Sequence, residues 1–351
     1  MKCQGHNRFG SRRQGPSPLR WRPPVTIQGA SNFSRTKTRP QPHRHTQEQA
    51  LRHQLPTPSV APIVATLLDQ FNAKRPVRAW SLIITLYGDA IVPRGGSLWL
   101  GSLSQIMALF HIDAGHVRTA MSRLTADGWL TREKVGRNSY YRLTRREAGS
   151  FIAATERIYF AHSPPFDGRL RLALLGPGID DRPAMRPMLD GAGFVALSPA
   201  TYVAYADPAP PLPDTEGLFL LHSQEGCNLS GLAAAAWKLE PIAQAYRAFI
   251  TRFSSLDAAL ATATDPVPEP DALVARVLLI HDFRRIVLRD PGLPVVLLPE
   301  DWPGMAARQL TARVYRRLVT ASEAFLDAAA EDRDGPIPAP DRTFAARFQS
   351  K

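Results

Sequence analysis

Apolar residues recur at helical spacing three times between Arg78 and Leu130, and then the pattern changes to that of two short strands. The segments read R-A-W-S-L-I-I-T-L-Y-G-D, then W-L-G-S-L-S-Q-I-M-A-L-F-H-I, then D-A-G-H-V-R-T-A-M-S-R-L-T-A-D-G-W-L. In the third, Val117, Ala120, Met121 and Leu124 share one face. Asp113 is placed to cap its first turn with a carboxylate, and Gly128 is placed to end it. The opposite face carries His116, Arg118, Thr119, Ser122 and Arg123, all hydrogen-bond donors. The ribbon T-R-E-K-V-G-R-N-S-Y-Y-R-L-T follows, turning at Gly136-Arg137-Asn138. Three helices and a hairpin in this order predict a winged helix-turn-helix, a unit that sets its third helix in the DNA major groove. A solvated polar face alone would carry little weight. The order of elements and the basic hairpin, with Lys134, Arg137 and Arg142, give it meaning. Arg118, Thr119, Ser122 and Arg123 are expected in the groove or on its phosphate rim, with Arg137 and Asn138 at the wing tip.

Further along, Ile63 to Phe71 predicts a lead-in helix and Arg145 to Phe160 a linker helix. Short strands are predicted at Leu170 to Leu175, Phe194 to Leu197, Thr201 to Ala206 and Leu218 to His222, with a helix from about Asp181 to Asp190. That order suggests a small ferredoxin-like sheet with helices on one face. From Gly231 onward the pattern is helical: Ala233 to Leu260, Ala272 to Leu288 and Met305 to Ala330. Trp237, Ile242, Tyr246, Phe249 and Phe253 mark a core or dimer face. The chain therefore divides into a basic segment (1–60), a winged-helix unit (61–148), a linker and sheet domain (149–230), a helical domain (231–330) and a tail (331–351).

Charge sharpens this division. The 351 residues carry a formal net charge of +12. Residues 1–60 hold eleven Lys or Arg against Glu48, a net of +10, and the other 291 residues contribute +2. Between Lys74 and Glu147 there are twelve basic and five acidic residues, a net of +7, so the chain beyond is net acidic. A basic module on an acidic body fits a DNA-binding head carried by a sensing or dimerising part. Residues 1–60, with eight prolines and no apolar periodicity, cannot offset the entropy of ordering. They suit either a basic arm that adds non-specific DNA affinity or an over-extended reading frame, and the second is favoured.

Several classes of function drop out. No run approaches 18 apolar residues, the length of a membrane span, and no secretory h-region occurs. Two cysteines, Cys3 and Cys227, make neither a disulfide framework nor a zinc site, and the chain reads as cytosolic without a metal. No P-loop, G-x-S-x-G or H-E-x-x-H occurs. Gly176-Pro177-Gly178 is a turn, since proline has no N–H to offer a phosphate.

Four stretches resemble the PaaX family. They are G-D-A-I-V-P-R-G-G-S-L-W-L-G-S-L at Gly88 to Leu103, V-R-T-A-M-S-R-L-T-A-D-G-W-L at Val117 to Leu130, W-K-L-E-P-I-A-Q-A-Y-R-A-F at Trp237 to Phe249, and L-L-I-H-D-F-R-R-I-V-L-R-D-P-G-L-P-V-V-L-L-P-E-D-W-P-G at Leu278 to Gly304. The resemblance spans most of Pro62 to Ala330. One departure is Arg169-Leu170, where the family tends to carry a tryptophan. It implies an α+β multidomain chain: an N-terminal winged helix, a central ferredoxin-like (Cas2-like) domain and a C-terminal helical domain. It also implies a homodimer that represses a phenylacetate-degradation operon and is released by phenylacetyl-CoA or a similar aryl-CoA, with no resident cofactor. A regulator of another pathway with a different effector is the alternative. The metal-dependent nucleases of the CRISPR-associated type place a carboxylate at the end of the first sheet strand. Here none comes before Asp180 and Asp181, which suit a helix cap. An aryl-CoA needs cations for its phosphates and an apolar slot for its ring. His281, Arg284, Arg285 and Arg289, with Trp302 after them, are candidates. Asp282, Asp290, Glu300 and Asp301 offer those arginines ordinary salt-bridge partners instead.

Overall fold

A computed structural model describes residues 59–73, 79–160, 165–205, 212–224 and 227–349, so the basic segment 1–58 lies outside the described residues. The first described part is α1 (Val60–Ala73), α2 (Ala79–Leu86), β1 (Ser97–Trp99), α3 (Leu100–Ala108), α4 (Ala114–Ala126), β2 (Leu130–Val135) and β3 (Asn138–Leu143). Three antiparallel strands in the order β1-β3-β2 close this tri-helical unit. Both ends of α4 follow the chemistry read from the sequence. Asp113 accepts hydrogen bonds from the N–H groups of Gly115 at 2.8 Å and His116 at 3.0 Å. At the other end Gly128 takes a φ of 78°, and the N–H of Trp129 reaches back to the Leu124 carbonyl at 2.9 Å. That pairing is a Schellman end, which only a residue tolerant of left-handed φ completes without strain.

The linker α5 (Arg145–Tyr159) leads to β4 (Arg171–Leu175), α6 (Arg182–Gly191), β5 (Val195–Ser198), β6 (Thr201–Ala204) and β7 (Leu218–His222). These strands form one antiparallel sheet in the order β5-β6-β4-β7. The Asp181 carboxylate accepts the Ala184 N–H and caps α6. The expectation of helices on one face needs correcting. Tyr202 and Ala204 pack under α6 with Ala173 and Leu189, whereas Val203, between them on the strand, faces Ala233 and Ala236 of α7 (Leu229–Ala236) on the other side. No helix joins β6 to β7 among the described residues.

Three long helices follow: α8 (Leu239–Thr262), α9 (Glu269–Val287) and α10 (Gly304–Ala329). The expected single helix over Ala233 to Leu260 is split at Trp237-Lys238, where Lys238 adopts a φ of 50°. This break lets α7 serve the sheet and α8 serve the helical body. α9 is buried nearly all round, from Ala272 through His281, which marks a central core helix rather than a surface one. The residues read as a C-terminal tail do not hang free. The hairpin β8 (Glu331–Asp332) and β9 (Gly335–Pro336) and the short α11 (Arg342–Ala345) lie against the body, with Ile337, Arg347 and Phe348 buried.

The larger finding is where the core lies. One continuous apolar cluster includes Phe71, Leu82, Ile106, Met121 and Leu124 of the first unit together with Phe253, Leu278, Phe283, Val314 and Leu318 of the last three helices. The head and the C-terminal helices, expected as separate domains, share this cluster. The sheet domain has its own two small cores.

A buried ionic network ties the same parts together. After α2 the chain widens into a π turn, Tyr87–Ile91, which carries Asp89 into the interior. The Asp89 carboxylate accepts from Arg276 Nε at 2.7 Å, Tyr159 at 2.6 Å, Tyr315 at 3.0 Å and Arg347 at 3.2 Å. Arg276 continues to Ser322 and Glu323, and Glu323 meets Arg94 of the head. Burial, and then the neighbouring Asp89 charge, push the Tyr159 phenol well above its ordinary pKa, so it remains a donor.

Candidate nucleic-acid interface

α4 meets the rest of the unit through Val117, Ala120, Met121 and Leu124, and this fixes which face looks outward. Arg118, Thr119, Ser122 and Arg123 are all exposed together on that outer face. Arg118 and Ser122 have no side-chain partner among the described residues. Thr119 bonds back to the Gly115 carbonyl at 3.0 Å, and the Arg123 guanidinium lies over the Trp80 ring at 5.5 Å, near Asp127. His116 is exposed but held by the capping residue, Nδ1 to Asp113 at 2.5 Å. The His116 N–H, and then its ring, bring the Asp113 carboxyl down from 3.8 to about 2. A helix N-terminus whose first N–H groups are already capped offers DNA its side chains more than its backbone.

Strands β2 and β3 project beyond α4. From Thr131 to Asn138 every residue is exposed, and Gly136-Arg137 forms the tip between the paired Val135 and Asn138. Asn138 reaches the Tyr140 hydroxyl at 3.4 Å, while the Arg137 side chain has no partner among the described residues. The base of this hairpin is anchored: Arg142 bonds the Gly95 carbonyl, and Glu133 pairs with Arg333 of the C-terminal hairpin at 2.9 Å.

The candidate ligand residues do not share one site. His281 is buried, its Nδ1 3.0 Å from the Thr85 hydroxyl and its ring edge-on to Phe71. Arg284 donates to Thr85 at 2.7 Å and to Ser81, and burial draws its guanidinium down to about 10, so it stays cationic. Arg285 lies on the other side of α9, where with Arg289 it borders a groove beside Ile242 and Phe249. Trp302 packs edge-on to Tyr246. The carboxylates weighed as partners for those arginines go elsewhere: Asp282 to Arg252, Asp290 to Tyr246 and Asp301 to Arg247. Arg284 does line a cavity of about 350 Å³ between the head, α5 and α9. Its walls include Ile84, Gly88, Trp129, Phe151, Ala154 and Ile280. No group of three or more His, Cys, Asp or Glu able to hold a metal occurs among the described residues, and no helix there is long and apolar enough to cross a membrane.

A sequence family described as PaaX-like protein matches residues 78–147, and its partner, described as PaaX-like protein C-terminal domain, matches residues 237–328. The chain is 36% identical over 290 residues to the transcriptional repressor PaaX of Escherichia coli (strain K12), which covers 78% of this chain and 90% of that protein. The chain belongs to the PaaX family. Among solved structures, the uncharacterized protein Rv0674 from Mycobacterium tuberculosis aligns with a TM-score of 0.41 at 23% identity, over 64% of this chain and 89% of that one. The first PaaX match takes in α2 to β3, the exposed face of α4 and the hairpin tip. The second takes in α8, α9 and nearly all of α10. Sequence reasoning gave no functional role to Asp89, Trp129, Phe151 or Arg276. Two of them had a signal, since Asp89 and Arg276 are lone charges within apolar helical runs.

Proposed function

We propose that this chain is a winged-helix transcriptional repressor that reads operator DNA with α4 and steadies itself with the β2–β3 wing. The observation that carries this is the outward face of α4: two arginines, a threonine and a serine exposed side by side on a helix capped at both ends. Such a face suits base edges and phosphates alike. The family relative's name, transcriptional repressor, supports the same reading. The middle sheet, with its antiparallel order β5-β6-β4-β7, is read as ferredoxin-like, with only one of the two usual crossover helices among the described residues.

The repressor works as a homodimer. Strand β7 is an edge strand with Phe219, Leu220 and Leu221 each about half exposed, the kind of edge that a monomer normally covers or charges. A second copy of β7 supplies the missing cover. The regulated genes are those for catabolism of an aromatic acid, phenylacetate first, and phenylacetyl-CoA or a similar aryl-CoA lifts repression by favouring a conformation that binds DNA poorly.

The test begins with operator selection from random-sequence DNA, followed by fluorescence anisotropy with the wild type and with the Arg118→Ala and Arg123→Ala variants. Each is expected to lose about 1–3 kcal/mol of operator affinity if it reads a base, with relaxed preference at one position. Unchanged isotherms in both variants would remove α4 from the interface.

A further inference from the structure

The cavity bordered by Arg284 is lined jointly by the head, the linker α5 and the buried helix α9. Close-packed interiors leave few voids larger than a water. A space of about 350 Å³ here is in the range of ligand pockets. An apolar cavity of about 150 Å³ already suffices for a benzene ring. The walls are chiefly apolar or aromatic: Ile84, Trp129, Phe151, Ala154, Ile158 and Ile280. Its cations are committed already. Arg284 is bonded to Ser81 and Thr85, and Arg157 to the carbonyls of Val287 and Asp290. The cavity therefore suits a neutral ring, while a phosphate-bearing tail would remain outside.

One wall is mechanically connected to the DNA-reading face. Trp129 closes the end of α4 through its N–H to Leu124 at 2.9 Å, and its carbonyl accepts the Thr144 N–H at 3.0 Å, at the foot of the wing. It also stands edge-on to Phe151 of α5, with ring centroids 6.0 Å apart. Anything that thickens the cavity presses on the residue at which α4 ends and β2 begins.

We propose that this cavity receives the aryl-acyl group of the effector, and that its filling displaces Trp129 and with it α4 and the wing. The proposal rests on the effector reading given above, and its test separates the two. Full-length protein is titrated on labelled operator with phenylacetyl-CoA, with acetyl-CoA as the arm lacking a ring and phenylacetate as the arm lacking the tail. The same titrations use Ala154→Phe and Thr155→Leu, which fill the space from α5, with circular dichroism to establish that each is folded. In the wild type, phenylacetyl-CoA is expected to weaken operator binding roughly 5- to 150-fold and acetyl-CoA to leave it unchanged. In both variants that response is lost, whether the ligand-free affinity stays high or is already reduced by the added side chain. A folded variant pair that responds at the wild-type concentration and to the wild-type extent overturns the cavity while the effector reading stands. A wild type that ignores the aryl thioester overturns both, and the ligand-free isotherm then judges operator binding by itself.

Discussion

Replacing Asp89 by Asn removes one charge from the interior and changes almost no volume. In the native chain its carboxylate takes hydrogen bonds from Arg276, Tyr159, Tyr315 and Arg347, and both Asp89 and Arg276 side chains are fully buried. An amide offers one acceptor where four donors converge, and its NH₂ then faces guanidinium groups. Removing one partner of a buried pair costs about 3–5 kcal/mol, chiefly because the remaining charge is stranded. Arg276 keeps Glu323, Ser322 and the Asp89 carbonyl, and Arg347 keeps two backbone carbonyls. The loss is therefore expected near the lower figure, about 3 kcal/mol. For a body of this size that lowers Tm by roughly 6–12 °C. The control is Asp327→Asn, whose carboxylate also meets a buried arginine, Arg94, at 2.7 Å but is itself 65% exposed. Solvent screening holds such a pair to about 0–1 kcal/mol. Urea titration followed by far-UV circular dichroism, with calorimetry for Tm, compares the two. Equal small losses in both variants would refute the idea that burial of Asp89 sets its worth.

Three further outcomes follow from the geometry. Arg137→Ala at the wing tip is expected to weaken binding to every DNA sequence alike and to flatten the salt dependence by roughly one unit, read from isotherms at several salt concentrations; an unchanged slope would take the tip off the phosphate backbone. The Asp113 carboxyl, held at about 2 in the folded chain against 3.8, contributes its capping stability above pH 3.8 and loses it as pH falls toward 2. NMR titration of that carboxyl checks this, a midpoint near 3.8 being the contrary result. Leu221→Arg on the exposed edge of β7 is expected to convert a dimer to monomers in analytical ultracentrifugation, and an unaltered dimer would move the interface elsewhere.

Local chemistry made the head legible. The Asp113 cap, the Gly128 stop and the 117-120-121-124 stripe lie within sixteen positions and need no distant partner. The split at Lys238 was not legible, because the apolar period runs straight through Trp237 and only the demands of two different cores break it. Nor was the merging of head and helical body. The positions that merge them, Asp89 with Arg276 and Arg347, are separated by 187 and 258 residues. Periodicity sees one turn at a time and is blind to such pairs. The ligand candidates failed to assemble for a related reason. Arg284 and Arg285 are neighbours in sequence, yet a helix sends adjacent residues about 100° apart, one toward the cavity and the other toward the opposite groove.

The link between Asp89 and Arg347 also sets a schedule. Arg347 follows Asp89 by 258 residues, so the head is synthesised well before the side chain it needs. Until Arg276 and Arg347 emerge, Asp89 lacks its arginines, and until α8 and α9 are made the apolar faces of α1 and α2 lack the helices that cover them. Domains usually fold as they emerge, first made first. Here the part made earlier waits on the part made later, so a chain cut short of α8 and α9 is expected to leave the head without the cover that its share of the core requires.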